Sequence, residues 1–424
     1  MKERILMKVR KPLRILLSEG SSLSARQTIT ALGRCGYILD ICDPNPICIS
    51  RFSRFIRHYY RCPAVGIDPS GYLEFVLHHL TREHYDVLLP THEQAFLFAK
   101  MRNRLPPGVK IALADFDAFL QVQGKVAFTR LMERLSLPQP LTHIIRKQTE
   151  LETLDIFPCY LKTDFSTAGQ GVWRVRNSTE RDQAVLELKH NGLLDGTHEI
   201  VVQEEARGAL CQVQAVFAHG HLLAYHCTQT RGESVGGGHA ARMGVDHPQV
   251  REHLIALGQA INWHGPLALD YLYNDATRQP TYIECNPRLV EPMNAILSGV
   301  NLADLTIRVA LDEVEDTANV QFGRPNIRSH SLMALLLGVA DHDGSRRKLL
   351  HTVFQDIRGQ GIFAGSKEDL TPVRIDPPSL IPLAVVSGQL LLRPRSAHHI
   401  ATSAINAYSL NAKTIETIMA FNEK

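Results

Sequence analysis

Along the first hundred residues the apolar positions follow two periods in turn. Arg14–Ser18, Tyr37–Cys42 and Tyr85–Leu89 are short apolar runs with the length of buried strands, the second closed by Asp43-Pro44 and the third by Pro90. Between them, Leu23–Arg34 carries Ala25, Ile29 and Leu32 at helical spacing, and Tyr72–Leu80 and Glu93–Met101 also predict helices. Strands alternating with helices predict a parallel sheet covered by helices. Pro106-Pro107-Gly108 interrupts the pattern before another apolar strand, Lys110–Ala114. Near Asp115 the character changes. A helix from about Lys125 to Leu135 presents Phe128, Leu131, Met132 and Leu135 on one face and is closed by Pro138 and Pro140. From Cys159 to Phe217 the pattern is strand-rich. Beyond about Gly323 it mixes an apolar helix at Ser331–Ala340, a glycine-rich segment (Gly359, Gly361, Gly365) and a closing helical stretch. The expected units are residues 1–114, 115–322 and 323–424, without internal repeats.

Composition narrows the function classes. The 424 residues are 44% hydrophobic and 21% charged, which suits a globular protein with a large core. A net charge of +3 from 46 basic and 43 acidic residues is too balanced for a nucleic-acid partner. The basic start, with Lys2, Arg4, Lys8, Arg10, Lys11 and Arg14, lacks the apolar core and cleavage site of a secretory signal and reads as a solvated tail. No apolar stretch reaches the roughly 18 residues of a membrane span. Eight cysteines form no CxxC pair and no zinc spacing, so a reduced, cytoplasmic protein is expected.

Candidate chemistry concentrates in the middle of the chain. In Tyr282-Ile283-Glu284-Cys285-Asn286-Pro287-Arg288, strand alternation puts Glu284 and Asn286 on one face. Upstream, Leu267–Tyr273 is an apolar strand joined to it through the polar loop Asn274–Pro280. If the hairpin centres on Thr277, Asp270 faces Glu284. Two facing carboxylates repel, and a cation resolves the conflict; Mg²⁺ takes one or two carboxylates with substrate phosphates and water. A solvated hairpin with coincidental acids is the competing reading. A second motif, Pro158–Val172, delivers Lys162 on a strand and then a small-residue loop containing Ser166, Gly169 and Gly171, whose N–H groups suit phosphate oxygens. It is not a Walker A loop, because no Gly-Lys-Ser/Thr opens a helix. Lys125, after Gly124 at a helix start, is another phosphate candidate or a surface lysine. The strand Ile200–Gln203 runs into the acidic turn Glu204-Glu205-Ala206-Arg207-Gly208, which could present backbone groups to a base or simply end a strand. Gly236-Gly237-Gly238-His239 with Arg242 reads as a loop that could clamp an anionic substrate, or as a plain solvent loop.

Taken in order over roughly residues 14 to 312, these motifs resemble the ATP-grasp superfamily, especially its carbamoyl-phosphate-synthetase-like branch. The most specific part is Glu284–Arg288 followed by the apolar helical run Leu302–Leu311. The resemblance implies an α/β and α+β chain: a parallel-sheet domain preceding an ATP-grasp fold, a mobile lid at about 140–200, and a C-terminal extension. It implies that Lys125 and Lys162 hold ATP phosphates, that Ser166–Gly171 covers them, and that Gln203, Glu204, Glu205 and Ala206 form the adenine hinge. Asp270, Glu284 and Asn286 would bind Mg²⁺, two ions by analogy with Mn²⁺ as a substitute, and Arg288 would stand beside the γ-phosphate. The early loop Gly20–Ser24 does not hold the nucleotide in such proteins. Two departures are visible: Ala209 and Leu210 follow Gly208 where many members place an acidic ribose ligand, and Ala268 stands where some place an arginine. Arg242 is then expected to supply that charge from the glycine loop. The implied activity is a ligase that activates a carboxylate as an acylphosphate for an amine or other nucleophile, with small-molecule partners and a homodimer allowed. Alternatives are a biotin-carboxylase-like or carbamoyl-phosphate-synthetase-like enzyme, although no Ala-Met-Lys-Met biotinylation site is present, or a non-catalytic ATP-binding protein. A dinucleotide-binding oxidoreductase is disfavoured, since no Gly-x-Gly-x-x-Gly follows the first strand.

Overall fold

A computed structural model describes residues 12–165, 171–314, 319–405 and 408–422. Strands β1 (Arg14–Leu17), β2 (Ile38–Asp43), β3 (Ile56–Arg61) and β4 (Val87–Leu89) pair in parallel in the order β3-β2-β1-β4. Helices α1 (Leu23–Arg34), α2 (Pro69–Glu83) and α3 (Gln94–Lys100) follow β1, β3 and β4. The expected parallel sheet is therefore present. Lys110–Ala114 is not a strand: it makes one bridge, Lys110 to Val87, before the chain turns into α4 (Phe116–Gln123). The Gly20–Ser24 loop holds no vacant phosphate donors at its start. The Gly20 N–H donates to Asp43, and those of Ser21 and Ser22 donate to Glu19.

A second, antiparallel sheet follows α5 (Lys125–Arg134). It contains β5 (Thr142–Lys147), β6 (Cys159–Thr163), β7 (Val172–Val175) and β8 (Asp195–Glu204) in the order β5-β8-β6-β7. Helices α6 (Gln148–Glu152) and α7 (Ser178–His190) cover it over a core that includes Leu151, Leu161, Leu188 and Val202. Helix α7 is absent from the sequence reading because its surface is nearly all polar. Its start was nevertheless signalled: Asn177 accepts from the Glu180 N–H, and Glu180 reaches back to the Arg176 N–H.

The largest sheet begins with β9 (Ala209–Ala218), β10 (His221–Glu233) and β11 (His239–Val245), and α8 (Pro248–Ala260) packs on it. Strands β12 (Gly265–Asn274) and β13 (Gln279–Asn286) form its edge hairpin. Along β9, Cys211, Val213, Ala215 and Phe217 enter one core, while Gln212 and Gln214 face the other side. After α9 (Met293–Leu297) comes α10 (Leu302–Ala310), which wedges between α1, β4, β9 and β12 and joins the first sheet to this one. Fully burying each of its Leu and Ile side chains contributes about 1.5–3 kcal/mol.

The last hundred residues extend this sheet. Strand β14 (Gln321–Phe322) pairs with β10, and β15 (Arg328–His330) and β16 (Ser366–Glu368) continue from β11. Helices α11 (Leu332–His342), α12 (Arg346–Arg358), α13 (Leu380–Leu392) and α14 (Ala397–Ile405) form a separate apolar core against it. The chain then returns to the first unit. Leu410 N–H donates to Glu93 at 2.6 Å, and α15 (Ala412–Met419) rests on α2 and α3. Among the described residues no helix is long and apolar enough to cross a membrane.

Candidate active site

Four elements bring the lysines and carboxylates together. The β12–β13 register pairs Asp270 with Glu284, as hairpin geometry around Thr277 predicts, with a one-residue slip nearer the turn. Helix α5 starts at Lys125, whose Nζ lies 2.9 Å from Glu284 Oε1. Strand β6 supplies Lys162, whose ammonium donates to Gln203 Oε1 at 2.7 Å and to the Ile283 carbonyl at 3.2 Å. A cleft lined by His92, Glu93, Gly124, Lys125, Glu284, Asn286 and Arg288 runs beside this cluster.

The join between α5 and β6 rests on Asp164. Its carboxylate accepts from the Val126 N–H at 2.9 Å, and its carbonyl accepts from the Lys125 N–H at 3.1 Å. One residue thus holds the first N–H groups of the helix, one through its carboxylate and one through its carbonyl, and ties α5 to the end of the strand that carries Lys162. Gly124 keeps this contact open, since a β-carbon there would stand 2.7 Å from Asp164 Oδ1. Asp164→Ala should lower stability by about 1 kcal/mol, the usual cost of a lost cap. It should also weaken Mg-nucleotide binding several-fold, read by chemical melts and calorimetry. Unchanged nucleotide affinity would show that Asp164 does not position the lysines.

Repulsion between the two carboxylates is relieved by protein groups. Glu284 has Lys125. Asp270 accepts from Gln212 Nε2 at 2.8 Å and Asn286 Nδ2 at 3.2 Å, and His239 Nε2 stands 3.6 Å away. Burial alone would push the Asp270 carboxyl up. Its bonds to His239 and Gln212, with the charges of His239 and Arg288, outweigh burial and hold it below the ordinary value. The facing pair thus has protein partners of its own, Lys125 for Glu284 and two amides for Asp270. Asn286 is also more occupied than its motif suggests, because its Oδ1 accepts from Arg288 Nη2 at 3.3 Å. Among the described residues no group of three His, Cys, Asp or Glu side chains is arranged to hold a metal. Two carboxylates and an amide nonetheless fit Mg²⁺ that arrives with phosphates supplying the other oxygens. The buried Gln212 Oε1 beside Asp270 has no hydrogen-bond partner, as expected of a polar site built for a ligand.

Burial dominates at Lys162. It pushes the ammonium down to about 8, with Lys125 acting the same way and Glu284 and Asp270 opposing. Below pH 8 the free protein presents a cation there; above it, the neutral amine. Phosphate oxygens favour the cation, so Mg-nucleotide binding should weaken as pH rises through 8 and should take up protons between about pH 8 and 10. Calorimetry in buffers of different ionisation enthalpy measures this uptake. Its persistence in Lys162→Met would assign it to another group.

The remaining predicted residues divide. Gly171 is described and stands just before β7, its carbonyl accepting from the Thr163 N–H; Ser166 and Gly169 lie outside the described residues. Gln203 is buried, its Oε1 accepting from Lys162 and its Nε2 donating to Thr142. The Glu204 and Glu205 N–H groups already donate to the Leu141 and Pro158 carbonyls, and the Glu205 side chain pairs with Arg174. Gly208 holds a φ of +141° and passes so close to the Tyr273 carbonyl that a β-carbon would lie 2.5 Å from its oxygen. Arg288 is buried in the cleft, and burial lowers its guanidinium from the ordinary value. Arg242 requires a correction. It is not a loop residue but lies in β11, 1% exposed, 2.8 Å from Glu291 and 3.9 Å from Asp369. Its charge is set in the interior between those two acids, on a strand rather than in the glycine loop.

Sequence reasoning missed Gln212, Glu291, His92 and Tyr408, and named His239 only as the end of the glycine run. Gln212 and Gln214, two amides spaced by two in an apolar strand, carried a readable signal. The others did not, because they come from distant segments. Glu291 does sit at φ +52°, an uncommon conformation for a non-glycine residue and one that clusters at functional sites.

No family model matches the chain, and no curated protein matches its sequence. Solved structures do match in fold. The biotin carboxylase domain dimer of the Hydrogenobacter thermophilus 2-oxoglutarate carboxylase, in complex with MgADP, ADP and bicarbonate, aligns at a TM-score of 0.60. The two share 15% identity, over 74% of this chain and 73% of that one. The L-amino acid ligase from Bacillus licheniformis aligns at 0.57 with 17% identity, over 75% and 80%. The N5-carboxyaminoimidazole synthetase from Staphylococcus aureus, complexed with ADP, aligns at 0.56 with 14% identity, over 74% and 80%. The chain has the ATP-grasp fold.

Proposed function

We propose that the protein is an ATP- and Mg²⁺-dependent ligase that activates a small-molecule carboxylate as an acylphosphate for attack by an amine or other nucleophile. The observation that carries this reading is the meeting of Lys125, Glu284 and Arg288 in one cleft of an ATP-grasp fold, with Asp270 opposite Glu284 in the hairpin and the Lys162 ammonium on the carbonyl of Ile283 beside it. Asp270, Glu284 and Asn286 would hold Mg²⁺, which when bound supplies charge neutralisation for the phosphates. Lys125 and Lys162 bind phosphoryl oxygens, and Arg288 orients Asn286 and faces the charge that spreads over the transferred group. A carboxylate oxygen attacks the γ-phosphorus, the bond to the β-phosphate oxygen breaks, and ADP leaves. The nucleophile then attacks the acyl carbon, loses its proton, and phosphate departs with the attacking oxygen. Two ions rather than one, Mn²⁺ as a substitute, the unit boundaries near 114 and 322, cytoplasmic placement and a homodimeric assembly belong to the same proposal.

The test is a panel of carboxylic acids, bicarbonate included, incubated with MgATP and hydroxylamine. The active acid should give ADP and a hydroxamate in equal amounts. ADP formation without any hydroxamate would identify an ATPase instead.

A further inference from the structure

Behind the metal-side carboxylates lies a second cavity of about 180 Å³ that the phosphate-binding cluster does not use. Its walls come from parts of the chain remote in sequence: Leu23 at the start of α1, Val235 in the glycine turn, Leu337 of α11, Val386 of α13, and Ile400 and Ala404 of α14. On α14 the residues Ile400 and Ala404, one turn apart, line the cavity while His398, His399 and Ser403 are exposed, so this helix turns an aliphatic face inward. The cavity is partly open and mostly apolar, with Ser21, Ser234 and Glu291 also on its walls, and its size compares with the roughly 150 Å³ that accommodates a benzene ring. The cavity adjoins the reaction site at two points. His239 lines it and stands 3.6 Å from Asp270 Oδ1, its other ring nitrogen hydrogen-bonded to Thr230. Tyr408 also lines it, and its ring meets that of His92, a wall of the Arg288 cleft, at 4.0 Å.

Resting on the ligase reading, we propose that this cavity receives the apolar side chain of the carboxylate substrate, of isobutyl to phenyl size, while its carboxylate reaches past His239 and Tyr408 to the phosphate cluster. The substrate class is then a branched-aliphatic or aromatic carboxylic acid, and the C-terminal helices set specificity.

The full-length protein, saturated with MgADP, is titrated with acetate, 4-methylpentanoate, 3-phenylpropanoate and glutarate, and with alanine, leucine, phenylalanine and glutamate. Binding is read by thermal shift and calorimetry, and turnover by ADP release from MgATP. The leucine- or phenyl-sized members of a series should bind at least tenfold more tightly than its small and acidic members. Ala404→Leu, which fills the cavity, should erase that preference, and Val386→Ala, which enlarges it, should shift preference toward the phenyl members. Each variant's melting temperature without acid confirms folding, and the opposite signs expected of the two variants separate cavity size from general damage. Equal binding of apolar and acidic members, or preferences that ignore both substitutions, would overturn the cavity assignment and leave the ligase reading standing. Apolar acids that bind in an Ala404-dependent way but never release ADP would uphold the cavity and overturn the ligase reading.

Discussion

Replacing Glu284 by Gln is expected to lower Mg²⁺-dependent ADP formation by roughly 10²-fold or more, on the order of 3 kcal/mol of transition-state stabilisation, while the protein stays folded. The fold should survive because the Glu284 side chain is 38% exposed and pairs with the Lys125 ammonium, from which a glutamine oxygen can still accept. Activity should not survive, because Asp270 is already committed to Gln212 and Asn286, which leaves Glu284 as the carboxylate freest to turn toward a nucleotide-bound cation. Turnover against Mg²⁺ concentration, with melting curves as the folding control, reads both halves. Near wild-type ADP production at saturating Mg²⁺ would remove Glu284 from the metal set.

The largest effect on stability is expected at Asp376→Ala. Asp376 and Arg26 form an ion pair at 2.6 Å with both side chains fully buried. Asp376 also accepts from Ser53 Oγ at 2.6 Å and the Arg54 N–H at 2.8 Å. Burial lowers the Arg26 guanidinium from its ordinary value and Asp376 opposes that shift. The arginine nonetheless remains charged at any ordinary pH, so removing its partner strands a buried cation, at a cost of about 3–5 kcal/mol. The double variant Arg26→Met with Asp376→Leu removes both charges and should recover much of that loss. Urea melts of the three proteins form the cycle. A loss below about 1 kcal/mol in the single variant would mean that water reaches the pair. The pair also bears on the site, because it ties the C-terminal segment to α1. One residue on, Gln27 accepts from the Met293 N–H and donates to Asp369. Asp369 is pushed up to about 7, by burial first and by Glu368 and Glu291 next, against the pull of Arg242. Helix α1, the segment after Arg288 and the C-terminal extension are thus coupled through buried polar groups.

What could be read from the chain was local. The facing of Asp270 and Glu284 follows from loop length and strand alternation, and Lys162 and Glu284–Arg288 stand within short motifs. The helix opening at Lys125 followed from apolar spacing and two prolines. What could not be read depends on approach between distant segments. Whether two carboxylates need a cation depends on Gln212 and His239, which arrive from β9 and β11. Whether Arg242 is a clamp or a buried counter-ion depends on Glu291 and Asp369, neither of which its own neighbourhood announces. Pattern also failed where an element buries little: α7 hides only Ala184, Val185 and Leu188, so its polar surface masked its period. The C-terminal hundred residues offered no motif because their contribution is shape. Helices α11, α13 and α14 wall a largely aliphatic cavity beside the site, and aliphatic residues spaced for packing look alike whether they fill a core or line a pocket.

The central claim is that a carboxylate oxygen of the substrate attacks the γ-phosphorus of ATP. It is tested most directly by labelling both carboxylate oxygens of the active acid with ¹⁸O and analysing the phosphate released during complete turnover with the nucleophile. One labelled oxygen should appear in each phosphate, ADP should be the nucleotide product, and the ligated product should retain the other label. Unlabelled phosphate in ordinary water, phosphate that takes its new oxygen from labelled water, or AMP and pyrophosphate as products would contradict the mechanism, even with ATP bound beside Lys125 and Lys162.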